Sequence, residues 1–66
     1  MDEEALWRMP RVEEVTGLRK TAIYALEARG QFPSRVKLTA QASAWPASKV
    51  RAWIADRIAQ SQKAVA

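Results

Sequence analysis

Cysteine and histidine are both missing from the 66 residues of this chain. Disulfide staples, ordinary Cys/His zinc sites, and Ser-His or Cys-His nucleophile pairs are thereby excluded. No apolar run approaches the roughly 20 residues needed to span a bilayer. The acidic start also lacks the basic-then-apolar layout of a signal peptide, so a cytoplasmic protein is expected. The seven carboxylates form no pair within a predictable pocket, and neither an enzyme nor a cofactor is expected. Glycine occurs only twice and proline three times, so each marks a boundary.

What is present suits one small domain over residues 1–66. A chain of this length buries only about 60% of the surface that its unfolded form exposes, so its core must be compact. Trp7, Tyr24, Phe32, Trp45 and Trp53 are the anchors available to it. The net charge of +4 is unevenly spread. Residues 1–16 hold five carboxylates against Arg8 and Arg11, whereas residues 17–66 hold nine Lys or Arg against Glu27 and Asp56. Basic charge gathered in one part of a small domain fits a polyanionic partner as well as a solvated surface.

Residues 1–5 read as a frayed acidic start, followed by a short extended segment over Leu6–Met9. Pro10 suits the first turn of a helix over about 10–16, with Val12 and Val15 on its apolar face. Gly17 permits the left-handed backbone that ends a helix, and Leu18 after it offers an apolar plug. A second helix follows over about 19–29, burying Ala22, Ile23 and Leu26 and stopping near Gly30. Phe32 is expected beneath a loop. Arg35–Leu38 alternates basic and apolar residues like a half-exposed strand, and Ser43–Trp45 is its expected partner in a hairpin over about 35–45, with Thr39–Ala42 as the turn between them. Pro46 introduces a last helix over about 47–61, with Val50, Trp53, Ile54 and Ile58 as its buried stripe. Arg51 and Arg57 are expected on its solvated face, and Ser61–Ala66 is expected to be a loose tail.

Two short helices joined at a glycine, then a hairpin and a helix, make a winged helix-turn-helix in miniature. In that geometry the second helix enters the major groove and the wing grips the neighbouring backbone. The 100° helical period sets Thr21, Tyr24 and Ala28 opposite the core face, flanked by Lys20, Ala25 and Glu27. Arg19 stands at the helix entrance, within reach of a phosphate. Thr21 can bond a base edge or phosphate, and Ala25 and Ala28 can approach thymine methyl groups. Tyr24 either stacks or bonds to the DNA backbone, the favoured reading, or is a half-buried core aromatic with its hydroxyl in water. Glu27 either accepts from a cytosine amino group or, the favoured reading, pairs with a nearby Arg or Lys. Arg35 and Lys37 either neutralise phosphates or form a charged edge that deters aggregation. Trp7 either packs against the hairpin or marks a partner-binding patch.

The ordered series Arg8-Met9-Pro10-Arg11-Val12, Val15-Thr16-Gly17-Leu18, Thr21, Ile23-Tyr24, Leu26 and Gly30 resembles the AlpA-like prophage regulators and related excisionases. The resemblance continues through Phe32-Pro33, Val36-Lys37-Leu38, Ala44-Trp45, Ser48, Val50 and Ala52-Trp53-Ile54, covering about residues 8–58. It implies an α+β, mostly helical, MerR-like winged helix-turn-helix with a small β-hairpin wing and a C-terminal helix. It further implies a protein of a phage or integrative element, acting at the bacterial nucleoid as transcriptional regulator, excisionase or both. Double-stranded DNA is then the partner, together with further copies on adjacent sites and a tyrosine integrase.

Five positions depart from that family pattern. Arg19 replaces a common serine, so Thr21 or water is expected to cap the second helix. Ala22 stands for a frequent threonine, and Ala25 for a frequently basic residue. The wing tip commonly has glycine followed by arginine, where this chain has Thr39 and Gln41. The added charge of Arg19 is expected to compensate. The expected DNA-contact set is thus Arg19, Lys20, Thr21, Tyr24, Ala25, Ala28, Arg35, Lys37, Thr39 and Gln41. A competing class is a protein-interaction module, such as an antirepressor working through Trp7 or the last helix.

Overall fold

The computed structural model describes residues 5–65. The acidic residues 2–4, expected to fray, lie outside them. Strand β1 (Leu6–Trp7) leads into helix α1 (Met9–Thr16), and helix α2 (Lys20–Ala28) follows after a three-residue turn. Strands β2 (Val36–Thr39) and β3 (Ala42–Pro46) form the hairpin, and helix α3 (Ala47–Val65) completes the chain. The sheet is antiparallel with order β1-β3-β2, pairing Trp7 with Trp45 and Val36 with Ala44. This is the α+β, mostly helical architecture expected of a winged helix-turn-helix.

Glycine ends both short helices. Gly17 takes φ 77° and its N–H donates to the Glu13 carbonyl, a single-bond left-handed cap that a side chain would strain. Gly30 takes φ 74°, its N–H reaching Glu27 while Gln31 N–H reaches Leu26. That pair of bonds is the Schellman arrangement. Thr16 Oγ1 donates to the Val12 carbonyl at 2.7 Å and accepts the Leu18 N–H at 3.2 Å, which stiffens the α1–α2 turn.

The core comprises Val12, Ile23, Phe32, Trp45 and Val50, with Trp7, Met9, Val15, Leu18, Leu26, Trp53 and Ile54 packed around it. Phe32 meets the edge of both indoles, at centroid distances of 6.4 Å to Trp45 and 4.9 Å to Trp53. Each indole N–H is satisfied by a carbonyl of the loop after α2: Trp45 Nε1 donates to Pro33 at 3.0 Å and Trp53 Nε1 to Gln31 at 2.7 Å. Left unpaired, the N–H of the buried Trp45 would cost about 1–3 kcal/mol; the Trp53 bond lies nearer the surface, and the two together hold a loop that has no regular structure.

Several expectations need correction. The hairpin turn is shorter than the expected Thr39–Ala42 segment, because Ala42 already belongs to β3. Gln41 N–H bonds Thr39 Oγ1 at 3.2 Å, so a hydroxyl shapes a turn that lacks glycine. A bulge between Lys37 and Thr39 absorbs the register shift. All four β2 residues are exposed instead of alternating: the core does not extend beneath this edge strand, and Val36 and Leu38 remain 42% and 44% accessible. The last helix runs to Val65, past its expected end near 61, so Ser61–Val65 is helical and not a loose tail. That helix outruns the core: Val50 is fully buried, Trp53 and Ile54 are half-buried, and Ile58 is 53% exposed. Arg51 and Arg57 are exposed as expected, yet they stack on Trp7 and Trp53 at 5.0 and 4.7 Å. Arg11 also stacks on Trp7, at 5.3 Å.

These differences in burial set the expected mutational costs. Trp45→Ala should cost about 3–5 kcal/mol, enough to leave so small a domain largely unfolded. Ile58→Ala should stay within about 0.5 kcal/mol of the parent. Urea melts of the two variants followed by circular dichroism check both values.

Candidate nucleic-acid interface

Helix α2 presents two chemically different sides. Ile23 is fully buried, Leu26 is half-buried against the core, and Ala22 is half-buried. Around the rest of the helix Lys20, Thr21, Tyr24, Ala25 and Ala28 are all exposed, as is Arg19 at its entrance. The exposed side is therefore a continuous strip of small, hydroxyl-bearing and cationic groups, with Tyr24 (45% exposed) near its middle.

What holds the start of α2 differs from the expectation. Arg19 is the residue before the helix and its side chain makes no capping bond. Neither does the cap come from Thr21: the Glu13 carboxylate of α1 accepts the Lys20 N–H through Oε2 at 2.9 Å. A carboxylate there also suits the positive end of the helix dipole. Borrowing the cap from the preceding helix leaves the Arg19 side chain outside that duty, and it locks the angle between α1 and α2. In the sequence Glu13 stands in the middle of α1, where local pattern relates it only to that helix; its reach to Lys20, seven residues onward, depends on the turn at Gly17.

Glu27 has a defined partner. Its Oε2 accepts the Arg35 backbone N–H at 2.8 Å and its Oε1 accepts Arg35 Nη1 at 2.6 Å. The two alternatives left open for Glu27 are thus decided in favour of an arginine, since both oxygens face the same residue. The Arg35 guanidinium also lies 5.1 Å from the Tyr24 ring centroid. Tyr24, Glu27, Ala28, Ser34 and Arg35 together line an open concavity of about 550 Å³ beside α2. Arg35 was expected within the hairpin strand, but it stands one residue before β2 and belongs to this cluster. Lys37 and Thr39 are exposed on β2 and Gln41 is exposed in the turn, forming a separate group on the wing.

Among the described residues no group of three or more acidic side chains could hold a metal ion. No helix of the described chain is long and apolar enough to cross a membrane.

A buried-and-exposed helix pair, a glycine turn and a hairpin wing define the class: a winged helix-turn-helix protein. The family model described as "Prophage CP4-57 regulatory protein (AlpA)" matches residues 5–58, and the chain belongs to that family. A relative from Enterobacteria phage P4, "Uncharacterized protein ORF88", is 42% identical over 57 residues. That match covers 86% of this chain and 65% of the relative.

The borrowed cap has a measurable consequence. Glu13→Ala should destabilise the domain by about 1 kcal/mol, the scale of a lost helix cap. Amide exchange at Lys20 should accelerate more than exchange at Ile23, which a melt combined with nuclear magnetic resonance would detect.

Proposed function

We propose that this chain is a sequence-specific regulator that binds double-stranded DNA of a phage or integrative element. Helix α2 enters the major groove, and the β2–β3 wing lies on the adjacent backbone. The observation that carries this reading is the exposed strip of α2: Arg19, Lys20, Thr21, Tyr24, Ala25 and Ala28 are all accessible on a helix held at both ends. The family's regulatory description and the phage origin of the P4 relative support it.

The roles follow from chemistry and position. The major groove is about 12 Å wide and admits an α-helix, whose early residues meet the base edges. Arg19 and Lys20 neutralise phosphates at the groove edge. Thr21 and Tyr24 bond bases or backbone, and Ala25 and Ala28 lie close to thymine methyls. On the wing, Lys37 contacts a phosphate, while Thr39 and Gln41 offer hydrogen bonds where a longer basic residue is usual. One such module makes few base contacts, each good pair giving about 1–3 kcal/mol of discrimination. Useful specificity then comes from several copies bound cooperatively on adjacent repeats.

Action at a promoter makes the protein a transcriptional regulator. Action beside a recombination site makes it an excisionase, bending DNA and biasing a tyrosine integrase. Protection of repeats flanking an attachment site, with integrase-dependent excision, assigns the second role; protection confined to a promoter assigns the first.

Two measurements test the contacts on a duplex selected by the wild-type chain from a randomised library. Thr21→Ala and Tyr24→Ala should each weaken the selected duplex by about 1–3 kcal/mol, with an unchanged far-ultraviolet spectrum. Arg19→Ala and Lys37→Ala should each flatten the slope of log K against log salt by about 0.9, as expected for one lost phosphate contact. Unchanged slopes for both would remove the assigned phosphate contacts. Absence of any salt-dependent duplex binding would favour a protein-interaction role.

A further inference from the structure

Glu27 lies on the recognition helix of a protein proposed to bind a polyanion, which is an unfavourable place for a carboxylate. Its side chain is only 14% exposed, however, and both of its oxygens are engaged by Arg35. One holds the main chain immediately before β2 and the other holds the guanidinium. The same guanidinium rests 5.1 Å from the Tyr24 ring centroid. Tyr24 in turn lies 6.4 Å from the ring of Trp45, which is 1% exposed and is tied by its indole N–H to the Pro33 carbonyl. Tyr24 is therefore flanked by a fixed indole and a fixed guanidinium, although 45% of it remains accessible.

We infer that Glu27 is a positioning residue for base reading: it clamps Arg35 across Tyr24, holding the Tyr24 ring in one orientation and the wing at a set distance from α2. The inference rests on the proposed DNA contact of α2 and assigns that contact its internal support. An aromatic side chain ordered before binding loses less rotamer freedom on the DNA, and that saving applies most where one orientation bonds the correct base. Arg35 has a different task from Lys37. Its charge is matched by Glu27, so it orients an aromatic ring and contributes little to counterion release. The expectation that Arg35 is a phosphate contact is replaced by this role.

The coupling yields a pattern that an ordinary basic surface does not produce. Affinities of Glu27→Ala, Arg35→Ala and the double variant are measured on the selected duplex and on a scrambled duplex of equal length, across a salt series. Each single variant should lower the selected-to-scrambled ratio by about tenfold, and the double variant by no more than the worse single, as for residues in one charge network. The salt slope of Arg35→Ala should match that of the wild type. Independently of DNA, the Arg35 δ-methylene resonances should be shifted upfield by the Tyr24 ring in the wild type and lose that shift in Glu27→Ala. Glu27→Gln keeps an acceptor for the Arg35 N–H and serves if Glu27→Ala does not fold; it should show a smaller fall in ratio.

A slope flattened by about 0.9 in Arg35→Ala, with the ratio unchanged in the Glu27 variants, makes Arg35 an ordinary phosphate contact and overturns the inference alone. Retention of the upfield shift in Glu27→Ala overturns it as well. A wild-type chain that prefers no duplex overturns the DNA reading, and this role falls with it.

Discussion

Trp45 is the side chain on which the other parts depend. It sits on the central strand of the sheet, pairs across β1 with Trp7, and is almost wholly buried. Its ring touches both Phe32 of the loop and Tyr24 of the proposed recognition helix. An indole must bury a large apolar body while satisfying one N–H, and here the Pro33 carbonyl accepts that N–H. Trp53 repeats the arrangement on Gln31 from α3. Through these two bonds a loop without regular structure becomes the fixed joint between α2, the wing and the last helix.

Charge is distributed by the same economy. A groove-facing helix with acids nearby would repel phosphates if those acids faced solvent. Glu13 and Glu27 instead turn toward N–H donors within the fold. Glu13 accepts the first free amide of α2, and Glu27 accepts both the main chain and the side chain of Arg35. Each carboxylate sets the position of an element that the proposed function uses: the entry angle of α2 in one case, the start of β2 in the other. The exposed strip between them keeps Arg19, Lys20, Thr21 and Tyr24 accessible. Acidic residues thus support a basic surface without occupying it.

The chain belongs to the AlpA family, and the phage P4 relative bears only the name of an uncharacterised protein. The proposed DNA reading therefore rests on geometry. Two short helices and a four-residue wing strand expose few contact groups. Rigidity is what gives those groups value, since a side chain that must be ordered on binding loses part of what its contact contributes. The caps, the indole bonds and the proposed Glu27 clamp all act on that one requirement.

The element order, the helix pair and the two sides of α2 were legible in the sequence, because they follow from periodicity and from glycine at two left-handed positions. The 3.6-residue repeat alone separates Ile23 and Leu26 from Thr21 and Tyr24. Other features depend on distances between elements, which no local pattern contains. Glu13 caps a helix seven residues onward, and Glu27 meets Arg35 eight residues onward, because loops closed by Gly17 and Gly30 bring those backbones together. The exposure of Ile58 and of β2 likewise reflects where the core ends, and the apolar stripe of a helix continues regardless of what lies opposite it. Local chemistry determined which side chains of α2 face outward; tertiary packing decided which residues hold that proposed reading surface in place.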